Sequence, residues 1–125
     1  MERVTGIGGV FFRARDPETL TRWYAERLGV APPPATYDER SWEQEAGPTV
    51  FTGMPADSPH FGRPEQQWSI NFRVRDLDAM VAQLRAADIE VRVHEEDYPN
   101  GRFAELADPE GNPIQLWQPA GADAV

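Results

Sequence analysis

The sequence predicts a small α+β fold built from two copies of one unit, a strand followed by a helix and three more strands. Three observations lead there. Residues 8–16, GGVFFRARD, recur as residues 68–76, WSINFRVRD, so that Phe12 aligns with Phe72, Arg13 with Arg73, Arg15 with Arg75 and Asp16 with Asp76. Each copy alternates apolar and polar side chains as a half-buried strand does, and each ends at an Asp that opens a helical pattern. The elements that follow the first helix are then repeated after the second, and self-similarity in so short a chain implies pseudo-symmetry.

The elements follow in order. Residues 7–15 read as a strand. Asp16-Pro17 starts a helix, because Asp caps the free N–H groups and Pro at the first helical position loses no hydrogen bond. Leu20, Trp23, Tyr24 and Leu28 fall at helical spacing and form an apolar stripe, and Gly29 ends the helix in the left-handed conformation. After a Pro-rich connection, residues 36–45 read as one or two short strands and 48–53 as another. Residues 54–66, with three prolines, form a linker. In the second half Gln67 to Arg75 is a strand, and Asp76 caps a helix with Leu77, Met80, Val81 and Leu84 on its apolar face. Ile89 to Val93 and Arg102 to Ala107 are strands. Asp108-Pro109-Glu110-Gly111-Asn112 is a tight turn, and Ile114 to Gln118 closes the unit. The chain is thus one domain, with module one at about 5–54, a linker at 55–66, module two at about 67–118 and a tail at 119–125.

Composition bounds the function. A chain of 125 residues buries enough surface to fold without cross-links, and the absence of Cys removes disulfides, thiolate metal sites and Cys nucleophiles. A net charge of -9 disfavours nucleic acid and anionic membrane, both of which need a basic face. No apolar run approaches the ~18 residues of a membrane span, and no signal peptide is evident. The expectation is a soluble cytoplasmic protein.

The motifs FFRARDPETLTRWYAERLGV, INFRVRDLDAMVAQLRAADIEV and RFAELADPEGNPIQLWQP together resemble the vicinal oxygen chelate superfamily, which includes glyoxalase I, bleomycin-resistance proteins, fosfomycin-resistance enzymes and extradiol dioxygenases. The resemblance covers nearly the whole chain. It implies two βαβββ modules whose curved sheets form a cup, a mixed sheet of the glyoxalase/bleomycin-resistance/dioxygenase fold. In relatives that cup holds a divalent metal or a small organic molecule. The metal-dependent relatives place ligands at four strand positions. Here these are Gly9, Ser69, Gln115 and either Val50 or Phe51. Gly, Val and Phe offer no donor, and a Ser hydroxyl is a poor ligand for transition metals. The expectation is therefore no metal, no cofactor and no catalytic residue. Of the two His, His60 lies in the linker and His94 opens the acidic run His94-Glu95-Glu96-Asp97, which reads better as a solvated loop than as a cation site.

Strand alternation assigns the cup lining. Phe11 and Arg13 share the face of Gly9, Asn71 and Arg73 share that of Ser69, and Trp117 shares that of Gln115. Trp42 and Phe103 are candidates from neighbouring strands, with Glu105 beside Phe103. The expected pocket is Phe11, Arg13, Trp42, Ser69, Asn71, Arg73, Phe103, Gln115 and Trp117. Against this stands the reading that Arg13 and Arg73 pair with acids while Phe11 and Trp117 fill space. The functional expectation is a metal-free protein of the bleomycin-resistance type that binds a small organic molecule and forms a homodimer. The alternative is a glyoxalase-like lyase, isomerase or dioxygenase with an atypical site. A regulatory partner without a ligand is the third reading.

Overall fold

The computed structural model describes residues 1–125. Helix α1 spans Pro17–Leu28. The second module follows as β1 (Ile70–Arg73), α2 (Leu77–Ala86), β2 (Arg92–Val93), β3 (Gly101–Ala107) and β4 (Pro113–Pro119). These make a mixed four-stranded sheet in the order β1-β4-β3-β2, with β1 parallel to β4 and the other pairs antiparallel.

Both helices begin as their sequences dictate. The Asp16 carboxylate accepts from the main-chain N–H of Thr19 at 3.2 Å and from its hydroxyl at 2.8 Å, and these bonds hold its carboxyl below the usual carboxylate range. Asp76 accepts from Ala79 N at 3.0 Å. Gly29 closes α1 at φ 73°, a conformation that costs a side-chain-bearing residue more than glycine.

One face of the sheet is the core. Leu20 and Tyr24 of α1 and Leu77, Val81 and Leu84 of α2 pack on Ala104, Leu106, Ile114 and Leu116. Half-buried Phe72 and Val93 extend the layer. The DPEGN turn fastens α1 to this module. The Asp108 carboxylate is buried and accepts from the Tyr24 hydroxyl at 2.8 Å, Asn112 Nδ2 at 2.7 Å, Glu110 N at 2.8 Å and Asn112 N at 3.0 Å. Gly111 takes φ 83°. Burial, and then the bond to Asp108, raise the Tyr24 hydroxyl pKa well above the usual phenol value.

The first module departs from expectation. Residues 7–15, 36–45 and 48–53 hold no strand. The alternation of burial survives at residues 11–15, where Phe12 and Ala14 are half-buried and Phe11, Arg13 and Arg15 exposed. Phe12 packs on Trp68, with ring centroids 5.0 Å apart, and on Tyr24 at 6.2 Å. Strand geometry needs a neighbouring strand for its N–H and C=O groups, and within the single chain these segments have none. The linker contains a short 3₁₀ turn at Pro59–Phe61, and another such turn lies in the tail at Gly121–Asp123.

Tyr24→Phe removes one of the four donors to Asp108. Urea unfolding should show a loss of about 1.5–3 kcal/mol, the range for a hydrogen bond to a charged group, with the slope of the transition unchanged.

Candidate functional site

The face of the sheet opposite the helices carries two rows of side chains, set by register. Arg73, Trp117 and Phe103 lie opposite one another on β1, β4 and β3. His94 continues that row, because its main-chain N–H donates to Phe103 O at 2.9 Å. Asn71, Gln115, Glu105 and Arg92 form the adjacent row.

The first row is mainly aromatic. The Phe103 and Trp117 rings are parallel within 3°, with centroids 6.2 Å apart. His94 lies 6.1 Å and Tyr98 5.7 Å from the Phe103 ring. Trp117 is buried, and its indole N–H donates to Asn100 O at 2.9 Å. That close approach depends on Gly101, where an added Cβ would stand 2.7 Å from the indole nitrogen and 2.2 Å from the Gln118 carbonyl oxygen. Phe103 is the half-exposed ring of the pair, with Trp117 as its backing.

The second row is polar. Asn71 Nδ2 donates to Gln115 Oε1 at 2.8 Å, which leaves Asn71 Oδ1 and the Gln115 amide N–H groups free to meet a ligand. Glu105 forms an ion pair with Arg92 and lies 3.4 Å from His94 Nε2.

Of the expected pocket residues, the structure brings Asn71, Arg73, Phe103, Gln115 and Trp117 together on this face. Ser69 is half-buried one residue before β1, on the side of Asn71 by alternation. Phe11, Arg13 and Trp42 come from the segments without strands. Phe11 is 95% exposed, Trp42 is 43% exposed, and Arg13 lies beside Glu110 and Asn112. Arg73 is engaged structurally, donating to Glu45 O at 2.9 Å and to Thr49 Oγ1 at 3.2 Å. An added Cβ at Gly47 would stand 2.8 Å from Arg73 Nε. The guanidinium therefore holds residues 45–49 against β1.

His94 corrects the reading of residues 94–97 as a solvated loop. Glu95, Glu96 and Asp97 are exposed, whereas the His94 side chain is 21% exposed with its Nε2 buried and without a hydrogen-bond partner. Burial, and then the Arg92 charge, hold its pKa below the ordinary histidine value. The legible signal was register: His94 lies two residues beyond Arg92 and shares its face.

The positions where metal-dependent relatives carry ligands do not fit a metal. The Gln115 carbonyl already accepts from Asn71. An added Cβ at Gly9 would stand 2.9 Å from the Phe11 ring. Val50 and Phe51 have no donor and are 71% and 90% exposed. No group of three or more His, Asp or Glu is placed to hold a metal ion.

The model of the glyoxalase-like domain family matches residues 9–117. The chain belongs to that family. Its fold accordingly is that of the vicinal oxygen chelate superfamily. Among solved structures, TnmS3, an antibiotic binding protein from Streptomyces sp. CB03234, superposes with a TM-score of 0.61 at 21% identity, over 96% of this chain and 100% of that one. A glyoxalase/bleomycin resistance protein from the same organism gives 0.48 at 24% identity, over 82% and 91% of the two chains. A glyoxalase family protein from Bacillus anthracis gives 0.38 at 24% identity, over 42% of this chain and only 43% of that one. At 21% identity the likeness to TnmS3 is one of fold. No curated protein matches the chain. No helix of this glyoxalase-like chain is long and apolar enough to cross a membrane.

The His94 environment predicts a pH dependence. A histidine whose pKa is depressed on folding binds fewer protons folded than unfolded, so stability rises with pH across the window. His94 therefore contributes its full share above the ordinary value of about 6.5, and that share is lost as pH falls through the lower folded value. His94→Gln should flatten the fall in melting temperature on acidification. An unchanged pH profile would place the dependence on other groups.

Proposed function

We propose that this glyoxalase-like protein binds a small organic molecule on the open face of its sheet without a metal ion. The observation that carries the reading is the side-by-side arrangement of a ring surface, Phe103 backed by Trp117, and a row of amides, Asn71 and Gln115. Apolar area with a few fixed polar groups is the usual composition of a small-molecule site. The rings supply contact area, and the free amide donors and acceptors fix orientation. The antibiotic-binding name of the TnmS3 relative supports the same class of ligand. The unfit donor set at the four ligand positions favours binding over metal-dependent lyase or dioxygenase chemistry.

The reading extends to a homodimer. Val4, Phe11, Val50 and Phe51 are 71–95% exposed, and exposed large apolar side chains of this kind call for a covering surface. A two-fold pair of identical chains is the commonest way for a small protein to supply one. The cup expected from two modules is then completed where two copies meet.

Mass spectrometry of small molecules released from purified protein identifies the ligand. Tryptophan fluorescence then measures affinity. Phe103→Ala should weaken binding by about 1–3 kcal/mol through lost packing, and Asn71→Ala by about 0.5–1.5 kcal/mol if one neutral hydrogen bond is lost. Ligands indifferent to both substitutions would place the site elsewhere. Zn²⁺, Ni²⁺, Mn²⁺ and Fe²⁺ should leave the melting temperature unchanged, since a tight native-state ligand raises it by mass action. Near-equimolar metal in the purified protein would overturn the metal-free reading.

Light scattering should return twice the 14.1 kDa chain mass. A monomer throughout the accessible concentration range would refute the dimer and leave the open face as a single-chain site.

A further inference from the structure

The aromatic row does not stop at Phe103. The rings of His94, Tyr98 and Phe103 lie 5.7–6.2 Å from one another, and Trp117 continues the surface on the other side of Phe103. At the β2 edge His94 and Tyr98 line a hollow of about 480 Å³ with Arg92, Val93, Glu95 and Glu96. The open face is therefore a ring platform with a polar group at each end, the Asn71–Gln115 amide pair toward β1 and His94 toward β2.

The two ring nitrogens of His94 differ. Nε2 is buried, has no hydrogen-bond partner and lies 3.4 Å from Glu105 Oε1. The other oxygen of that carboxylate accepts from Arg92, so Glu105 is ionised and can only accept. Burial, and then the Arg92 charge, hold the His94 pKa below the ordinary value, which leaves the ring neutral at pH 7 with a single N–H. A lone pair on Nε2 would face the carboxylate unfavourably, whereas an N–H there faces it favourably. The proton therefore resides on Nε2 and the lone pair on Nδ1. Of the two nitrogens only Nε2 is buried without a partner, so Nδ1 is a free acceptor. At the other end Gln115 has its carbonyl occupied by Asn71 and its N–H groups free to donate. The two ends of the platform thus call for opposite groups.

Register sets the length between them. His94 lies opposite Phe103, and Gln115 lies opposite Glu105, two residues further along β3. Two strand spacings and one two-residue step separate the main chains by roughly 12 Å, and the inward reach of both side chains shortens that span.

We propose, building on the reading that the open face binds a small organic molecule, that this ligand is a planar hydroxyaryl ketone or amide about two fused rings long, whose hydroxyl donates to His94 Nδ1 and whose carbonyl accepts from the Gln115 amide. His94 is then the residue that selects for the hydroxyl, and Glu105 is a positioning residue that holds the imidazole in the accepting tautomer.

A matched pair of probes tests this on the full chain at pH 7 by tryptophan fluorescence quenching: 2-acetyl-6-hydroxynaphthalene and 2-acetyl-6-methoxynaphthalene. Methylation removes the donor and leaves the rings and the carbonyl unchanged. The hydroxy compound should bind about three- to tenfold more tightly, the range for one neutral hydrogen bond. His94→Phe keeps a ring in the cluster and removes the acceptor, so it should abolish that preference while leaving affinity for the methoxy compound unchanged. Phe103→Ala should weaken both compounds alike. If His94→Phe does not fold, Glu105→Gln carries the same test, since loss of the carboxylate charge frees the tautomer and should narrow the preference. Binding of both compounds that depends on Phe103 but shows no preference, or a preference that survives His94→Phe or Glu105→Gln, overturns this inference and leaves the open-face site standing. Binding of neither compound, or binding indifferent to Phe103→Ala, overturns both.

Discussion

The buried carboxylate of Asp108 is the constraint on which the arrangement of the chain depends. A carboxylate taken out of water is stable only if its oxygens are satisfied, and here four donors satisfy them. Three come from the turn itself and fix its shape. The fourth is the Tyr24 hydroxyl, 84 residues away in sequence. Because the turn is rigid, its next residue but one, Glu110, stands where it can take the N–H groups of Arg15 and Asp16. One five-residue turn therefore locates both the body and the start of α1 relative to β3 and β4. Phe12, which precedes that start, is delivered onto Trp68 and Tyr24.

Once α1 and α2 occupy one face of the sheet, the side chains on the other face are determined by strand period alone. Leu116 goes into the core and Gln115 and Trp117 out of it; Ala104 goes in and Phe103 and Glu105 out. A shift of one residue in either strand would exchange the two sets. The buried apolar residues forbid that exchange, so the core specifies the composition of the open face although it never touches it. Gly101 adds a second condition at the edge of β3: only a residue without a Cβ lets Trp117 reach Asn100 O and back the Phe103 ring.

The second module was legible because its signals are local. Capping Asp residues, helical stripes and the Asp-Pro-Glu-Gly-Asn turn each act within a few residues, and each formed as its chemistry requires. That Asn71 and Gln115 face away from the helices was likewise legible from alternation, whereas their hydrogen bond to each other follows from the β1–β4 register. What sequence did not yield was the role of residues whose partners are distant. Asp108 reads as a turn former, and nothing near it in sequence announces Tyr24. Arg73 reads as a cup residue, and its bonds to residues 45–49 depend on where an irregular segment runs. His94 reads as the head of an acidic loop, and its half-buried position follows only from the β2–β3 register.

The first module shows what alternation does and does not specify. Phe12, Arg13, Ala14 and Arg15 alternate in sequence and in burial, so the pattern truly records two faces. The inward face, Phe12 and Ala14, is met by α1 and the second module, and these contacts form within one chain. The outward face and the hydrogen-bonding edge require a neighbouring strand, and period-2 patterning is silent about which chain provides it. Burial of Phe12 needs only the rings of Trp68 and Tyr24, whereas a strand at residues 7–15 needs a row of N–H and C=O partners in register. The first condition is satisfied by packing within the chain and the second is not, which is why residues 7–15 keep the side-chain alternation of a strand without its ladder.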